Sequence, residues 1–231
     1  MTDARSGGTR RPPAREMLVD AIRMAAAAEL IDYSGHGSVR RDDRVFFINS
    51  GASVRRRLTV ADIVTVDLDG ALVEGSAPPP LEYHIHAEIY RARPDVGAVL
   101  HTHPRWSTLL TTAGVAMKPV YAQGTLVGEP PLLDSPLSID SREMGQRLAA
   151  TLGAGAAVLL KSHGAVLAGA DLIECFALAV YCEENAYRQY MAMQVGTPHV
   201  FSVEEQQICR RTLWSAGLFR KAWDHYRSKL D

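Results

Sequence analysis

At 231 residues the chain is long enough for one substantial α/β domain and short for two. Its 25 Lys and Arg nearly balance 26 Asp and Glu, so no strong global field draws in nucleic acid or an anionic membrane, and the expected partner is a small molecule. Cys175, Cys182 and Cys209 show no close metal or redox spacing, no segment is apolar for long enough to span a bilayer, and the N-terminus lacks a signal-peptide core. The expectation is a soluble cytoplasmic protein with reduced thiols.

Residues Met1–Pro13, rich in Gly, Arg, Thr and Pro, have little to bury and predict a mobile tail before a single domain over residues 14–231. From Ala14 to Ile31, Met17, Leu18, Ala21, Ile22, Ala25 and Leu30 follow a helical period. Asp32–Ser38 breaks that helix, and Ser38–Arg40 with Val45–Asn49 predicts a hairpin closed by a polar turn. Thr59–Asp62 carries capping chemistry for one helical turn, and Ile63–Asp67 joins Ala71–Val73 as a second hairpin. Pro78-Pro79-Pro80 stiffens the approach to a helix over about Leu81–Arg93, on which Glu82, His86 and Ile89 or Tyr90 share one face and His84 points elsewhere.

The apolar run 96–100 predicts a strand over Ala98–Thr102, stopped by Pro104, with a short helix over Pro104–Ala113. Val115–Leu133 reads as a short strand plus loops. Asp140 or Ser141 caps a helix to Leu152, and Ala157–Leu160 is a strand that Ala165–Leu167 continues or pairs with. Asp171 caps a long helix through Ala192, and Ser202 with Glu205 opens a last helix to about Tyr226. There is no internal repeat, zinc-ribbon spacing or glycine-rich phosphate loop.

The chemistry concentrates on His101-Thr102-His103. Side chains alternate faces along a strand, so two histidines one residue apart project the same way at its carboxyl end. Glu82 upstream and His163 downstream, the latter where an apolar strand meets Gly164, complete a candidate set of three imidazoles and a carboxylate. Such a set suits a divalent transition metal, with zinc the default and manganese, iron and cobalt as alternatives.

In order along the chain, Gly35-His36-Gly37-Ser38-Val39-Arg40, Asn49-Ser50-Gly51, Thr65-Val66-Asp67 with Asp69-Gly70, Glu82 with His86, Arg93-Pro94-Asp95-Val96, His101-Thr102-His103-Pro104 and His163-Gly164 resemble the class II aldolase and adducin family of metal-dependent lyases. The resemblance covers about Leu18–Tyr190. It implies a three-layer α/β/α fold around a largely antiparallel sheet, and a homotetramer with active sites at subunit interfaces. It also implies that His101, His103 and His163 are metal ligands and that Glu82 is the catalytic acid/base, touching the metal when substrate is absent. His86 is then an orienting residue of the substrate site. Tyr121 lies near the position where some aldolases carry a catalytic tyrosine, and is the second catalytic candidate.

The family divides between sugar-phosphate aldolases or epimerases and decarboxylases of hydroxylated acids. The aldolases hold phosphate with an asparagine in Gly-Asn-x-Ser and a Ser-Ser pair before the glutamate. Here those positions are His36 and Pro80-Leu81, and only Ser50-Gly51 is kept. The Gly-His-x-Ser form resembles the hydroxyaromatic acid decarboxylase branch, of the 3,4-dihydroxyphthalate decarboxylase type, with His36, Ser50 and Gly51 as substrate-binding candidates. Fuculose-phosphate-type aldol cleavage or epimerisation is the alternative. An adducin-like assembly role is a further one, although that branch lacks the metal ligands present here. Arg55-Arg56-Arg57 reads as a solvated loop.

Overall fold

The computed structural model describes residues 13–230, so the tail expected over residues 1–13 lies, apart from Pro13, outside the described residues. The alternating runs of the sequence become one eight-stranded sheet in the order β4-β3-β2-β1-β5-β8-β7-β6. Its strands are β1 (His36–Arg40), β2 (Val45–Asn49), β3 (Ile63–Asp67), β4 (Leu72–Glu74), β5 (Ala98–Thr102), β6 (Leu132–Leu133), β7 (Ala157–Leu160) and β8 (Gly164–Gly169). The sheet is mixed and mostly antiparallel, with β6 and β7 the parallel pair.

The helices are α1 (Ala14–Ala27), α2 (Tyr83–Ala92), α3 (Arg105–Thr112), α4 (Arg142–Leu152), α5 (Leu172–Val195), α6 (Val203–Leu213) and α7 (Ala216–Arg227). Alternation along β5 separates two apolar cores. Ala98 and Leu100 pack with Leu18 and Ile22 of α1 and Phe176 of α5, whereas Val99 joins Ile85 and Ile89 of α2 and Leu148 of α4. The layering implied by the resemblance is met in part, because α6 packs on the 3-10 turn Gln123–Leu126 rather than on the sheet.

Three elements depart most from the sequence reading. Helix α1 stops at Ala27 instead of Ile31, because Glu29 adopts a left-handed φ of 57° and the amides of Leu30 and Ile31 fold back onto the Ala25 carbonyl. Leu30 and Ile31 are buried all the same, so apolar periodicity could not mark that end. Strand β1 begins at His36, inside the expected turn, because its pairing with β5 extends to His36 opposite His101. The last helix is two helices, since Ser215 caps a new one by accepting the Leu218 amide at 3.2 Å.

The short strand expected within Val115–Leu133 is β6 at its far end, while before residue 121 the backbone is satisfied by α5. Asn185 accepts from the Val120 amide and donates to the Lys118 carbonyl, and Gln189 does the same for Lys118 N–H and Ala116 C=O. A second clamp from α5 fixes α3, which starts directly behind His103. Pro104 precedes the helix and offers no capping side chain, so the Glu183 carboxylate accepts the Trp106 and Ser107 amides at 2.6 and 3.0 Å. Glu183→Ala is expected to lower stability by about 1–3 kcal/mol, read as a lower urea midpoint at unchanged slope, with a smaller loss for Glu183→Gln.

Candidate metal centre

The site begins with strand register. His36 of β1 lies directly opposite His101 of β5, and paired residues of antiparallel strands share a face, so their rings meet with centroids 5.0 Å apart. His103, two residues on, projects the same way and is held past the strand end by its amide bond to the Leu30 carbonyl at 3.0 Å. His163 arrives from the tight β7–β8 turn, where Ser162 takes a left-handed φ of 54° and its amide donates to Thr111 Oγ1. Gly164 makes this approach feasible: a Cβ there would stand 2.2 Å from the Thr102 carbonyl oxygen. Glu82 sits at the N-cap of α2, its entry set by the Tyr83 amide bonding back to the Pro80 carbonyl.

These four side chains converge, each offering an atom within 4.8 Å of the others. His101 Nε2 stands 3.0 Å from His103 Nε2 and 3.5 Å from Glu82 Oε2, and His163 Nε2 stands 3.8 Å from Glu82 Oε1. The anchoring of two of the rings tests whether the set fits a cation. His101 Nδ1 lies 3.2 Å from the Ala165 carbonyl, and His103 Nδ1 lies 3.0 Å from Asp32 Oδ1. Both partners are acceptors, so both Nδ1 atoms carry the hydrogen and both Nε2 atoms present bare lone pairs to one another. Facing lone pairs beside a carboxylate repel unless a cation lies between them, so the donor set fits a divalent metal.

Burial alone would favour the neutral acid of Glu82, but the adjoining His36 and the Ile139 amide act against it and draw the carboxyl below the usual carboxylate range. Glu82 Oε1 accepts from the Ile139 N–H at 2.9 Å, which leaves Oε2 toward His101 and His36. Burial lowers His36 to about 4, with His101 adding to the effect, and His86 is lowered well below its ordinary value chiefly by burial. Both are neutral near neutral pH.

Other sequence candidates fall in different places. His36 is 1% exposed, with its Nε2 3.7 Å from Glu82 Oε2, so it stands behind the cluster rather than on an open surface. His86 is wholly buried against His36 and Ser38. Ser50 and Gly51 lie on the loop against Pro78–Pro80, just before Glu82. Tyr121 lies under the Arg188 guanidinium on α5, 4.4 Å from it, and within one chain it has no described contact with the cluster. His84 stacks on Tyr83.

Arg55 overturns the solvated-loop reading of its segment. It is buried and donates to the carbonyls of Ser34, Gly35, Gly51 and Ser53, tying the β1 entry to the Ser50–Ser53 loop. Arg56 and Arg57 are exposed, as expected. Asp32 carried no sequence signal beyond that of a turn residue, yet it anchors a candidate ligand. An open cleft of about 390 Å³ reaches the cluster at His103, with Asp32, Tyr33, Val54, Arg56 and Arg105 among its walls.

Among the described residues no helix is long and apolar enough to cross a membrane. Residues 16–190 match the family model described as the class II aldolase and adducin N-terminal domain. The chain is 30% identical over 187 residues to 3,4-dihydroxyphthalate decarboxylase of Terrabacter sp. (strain DBF63), spanning 74% of this chain and 78% of that one. It is 29% identical over 195 residues to 5-methylthioribulose-1-phosphate/5-deoxyribulose-1-phosphate aldolase of Rhodospirillum rubrum, spanning 84% and 87%. In structure it is similar to L-fuculose 1-phosphate aldolase from Glaciozyma antarctica PI12, with a TM-score of 0.83 at 21% identity over 95% of this chain and 93% of that one. With its sheet, its clustered histidines and glutamate, and this match over most of its length, the chain belongs to the class II aldolase and adducin N-terminal domain family.

Proposed function

We propose that this protein is a metal-dependent carbon-carbon lyase that decarboxylates a hydroxylated aromatic carboxylic acid of the 3,4-dihydroxyphthalate kind. The observation that carries the lyase reading is the convergence of His101, His103, His163 and Glu82, with the Nδ1 atoms of His101 and His103 anchored so that their lone pairs face inward. His101, His103 and His163 would hold the metal, zinc by default. When bound, it supplies a Lewis acid that draws off the electron pair left on carbon as the bond breaks.

The protein's own groups then have distinct tasks. Glu82 Oε1 stays on the Ile139 amide, so Oε2 is the oxygen that takes a proton from a substrate hydroxyl and returns it to the ring carbon after carbon dioxide leaves. The apolar faces of Tyr33 and Val54 suit a ring, and Arg56 and Arg105 suit a second carboxylate. Assembly as a cytoplasmic homotetramer, and a role for Tyr121 at a neighbouring subunit's site, belong to the same proposal.

The branch choice is supported by where the loop amides go. Ser50 N–H donates to the Asp62 carbonyl, Gly51 N–H to Pro78 and Ser53 N–H to Ser50, while Pro80 has no N–H. These three amides are already committed to carbonyls and are not free to cradle a phosphate, which favours the decarboxylase reading over cleavage or epimerisation of a sugar phosphate. The retained ligand set likewise disfavours a purely structural, adducin-like role.

His103→Ala and His163→Ala are expected to lose bound metal and activity together, whereas Glu82→Gln keeps its metal and loses turnover by about 10²–10⁴-fold, checked by elemental analysis beside kinetics. Asp32→Ala is expected to weaken metal affinity roughly 10–100-fold in a chelator competition, with Asp32→Asn, which still accepts from Nδ1, nearer the parent. Metal-loaded protein is expected to release carbon dioxide from dihydroxyphthalate-type acids. Rapid release of aldehyde and dihydroxyacetone phosphate from a sugar 1-phosphate, without carbon dioxide, points instead to the aldolase branch.

A further inference from the structure

Behind the cluster, a row of polar side chains runs through a core that is otherwise apolar. Glu82, His86 and Tyr90 recur every four residues on one stripe of α2, a rise of about 6 Å per step. His36 and Ser38 alternate on the facing side of β1, about 6.6 Å apart. The two repeats nearly match, so the groups mesh in the order Glu82, His36, His86, Ser38, Tyr90. His36 Nδ1 lies 2.7 Å from His86 Nε2, His86 Nδ1 lies 2.6 Å from Ser38 Oγ, and Ser38 Oγ lies 2.7 Å from the Tyr90 hydroxyl. His36, Ser38, His86 and Tyr90 are each at most 2% exposed, and Phe46 closes over both His86 and Tyr90. His36 Nε2 ends the row, buried and without a hydrogen-bond partner, 3.7 Å from Glu82 Oε2.

Each buried neutral imidazole has one hydrogen, so the whole row must point one way or the other. If it ran from Glu82 toward Tyr90, a bare His36 Nε2 lone pair would face a carboxylate, and the Tyr90 hydrogen would need a further acceptor. Among the described residues the one hydrogen-bond partner of the Tyr90 hydroxyl is Ser38 Oγ, and the Arg40 guanidinium over its ring has only donors to offer. In the opposite direction every hydrogen has a destination. Tyr90 donates to Ser38, Ser38 to His86 Nδ1, and His86 Nε2 to His36 Nδ1, which leaves the last hydrogen on His36 Nε2.

We propose that Tyr90, Ser38 and His86 are positioning residues that act through His36: they lock both histidines as Nε2–H tautomers and aim the His36 hydrogen at Glu82 Oε2, orienting that carboxylate for proton transfer. The proton-transfer part rests on the role given to Glu82 above, while the direction of the row stands apart from any activity.

The test is long-range proton–nitrogen correlation spectroscopy of full-length, ¹⁵N-histidine-labelled protein, with and without zinc. His36 and His86 are both expected as Nε2–H tautomers. In Ser38→Ala the His86 Nδ1 resonance should move toward that of an unbonded ring nitrogen, with a smaller shift in Tyr90→Phe. Zinc stoichiometry should be unchanged in both variants. With a dihydroxyphthalate-type acid, Ser38→Ala should lower kcat roughly 10–100-fold with KM little altered. Finding His36 as the Nδ1–H tautomer in the parent protein overturns the proposal whether or not the variants fold, as does a His86 signal unmoved by Ser38→Ala. Expected tautomers in a protein inactive on such acids would leave the relay standing and overturn the decarboxylase reading instead.

Discussion

Two imidazole nitrogens 3.0 Å apart with no hydrogen between them are the constraint on which the rest of the site depends. Such an arrangement is unfavourable by itself, and it persists because both rings are committed on their far sides, to the Ala165 carbonyl and the Asp32 carboxylate. Sheet pairing supplies the first anchor, and the sharp end of α1, where Glu29 turns left-handed, delivers the second. The scaffold thus concentrates negative potential at one point before any cation binds, a form of preorganisation.

The helix–sheet interface around this point combines packing and polarity. On the α2 face, Val99, Ile85 and Ile89 form ordinary core, while the neighbouring stripe carries His36, His86, Ser38 and Tyr90. Polar groups buried this deeply are tolerated because each side chain has a partner in the row. A network of this kind favours a unique register between α2 and β1, because a slip of one residue would strand several donors and acceptors at once.

Much was legible in the sequence. The apolar run 96–100 marked the central strand, Pro104 marked its end, and the one-residue spacing of His101 and His103 put both on the same side. The capping residues Asp171 and Ser202 located helix starts that the structure reproduces, and of the two candidates Asp140 and Ser141 it is Ser141 that caps α4. The stripe of Glu82, His86 and Tyr90 was visible as helical spacing, although nothing local indicated that it met β1. Arg55 shows the opposite case: an arginine triplet reads as solvated, and only the fold reveals four carbonyls closing around one member.

Sequence by itself determined the types and approximate extents of the main elements, the spacing of the paired histidines and the ordered motifs of the family. These are local properties, set by side-chain periodicity, proline and capping chemistry within a few residues. Tertiary structure decided that residue 163 reaches residues 101 and 103, that Asp32 holds the His103 ring, that His36 faces His101 and that the amides of Ser50, Gly51 and Ser53 are committed to carbonyls. Each of these joins residues well separated along the chain, and such contacts follow from strand register and close backbone approach, which no short window of sequence encodes.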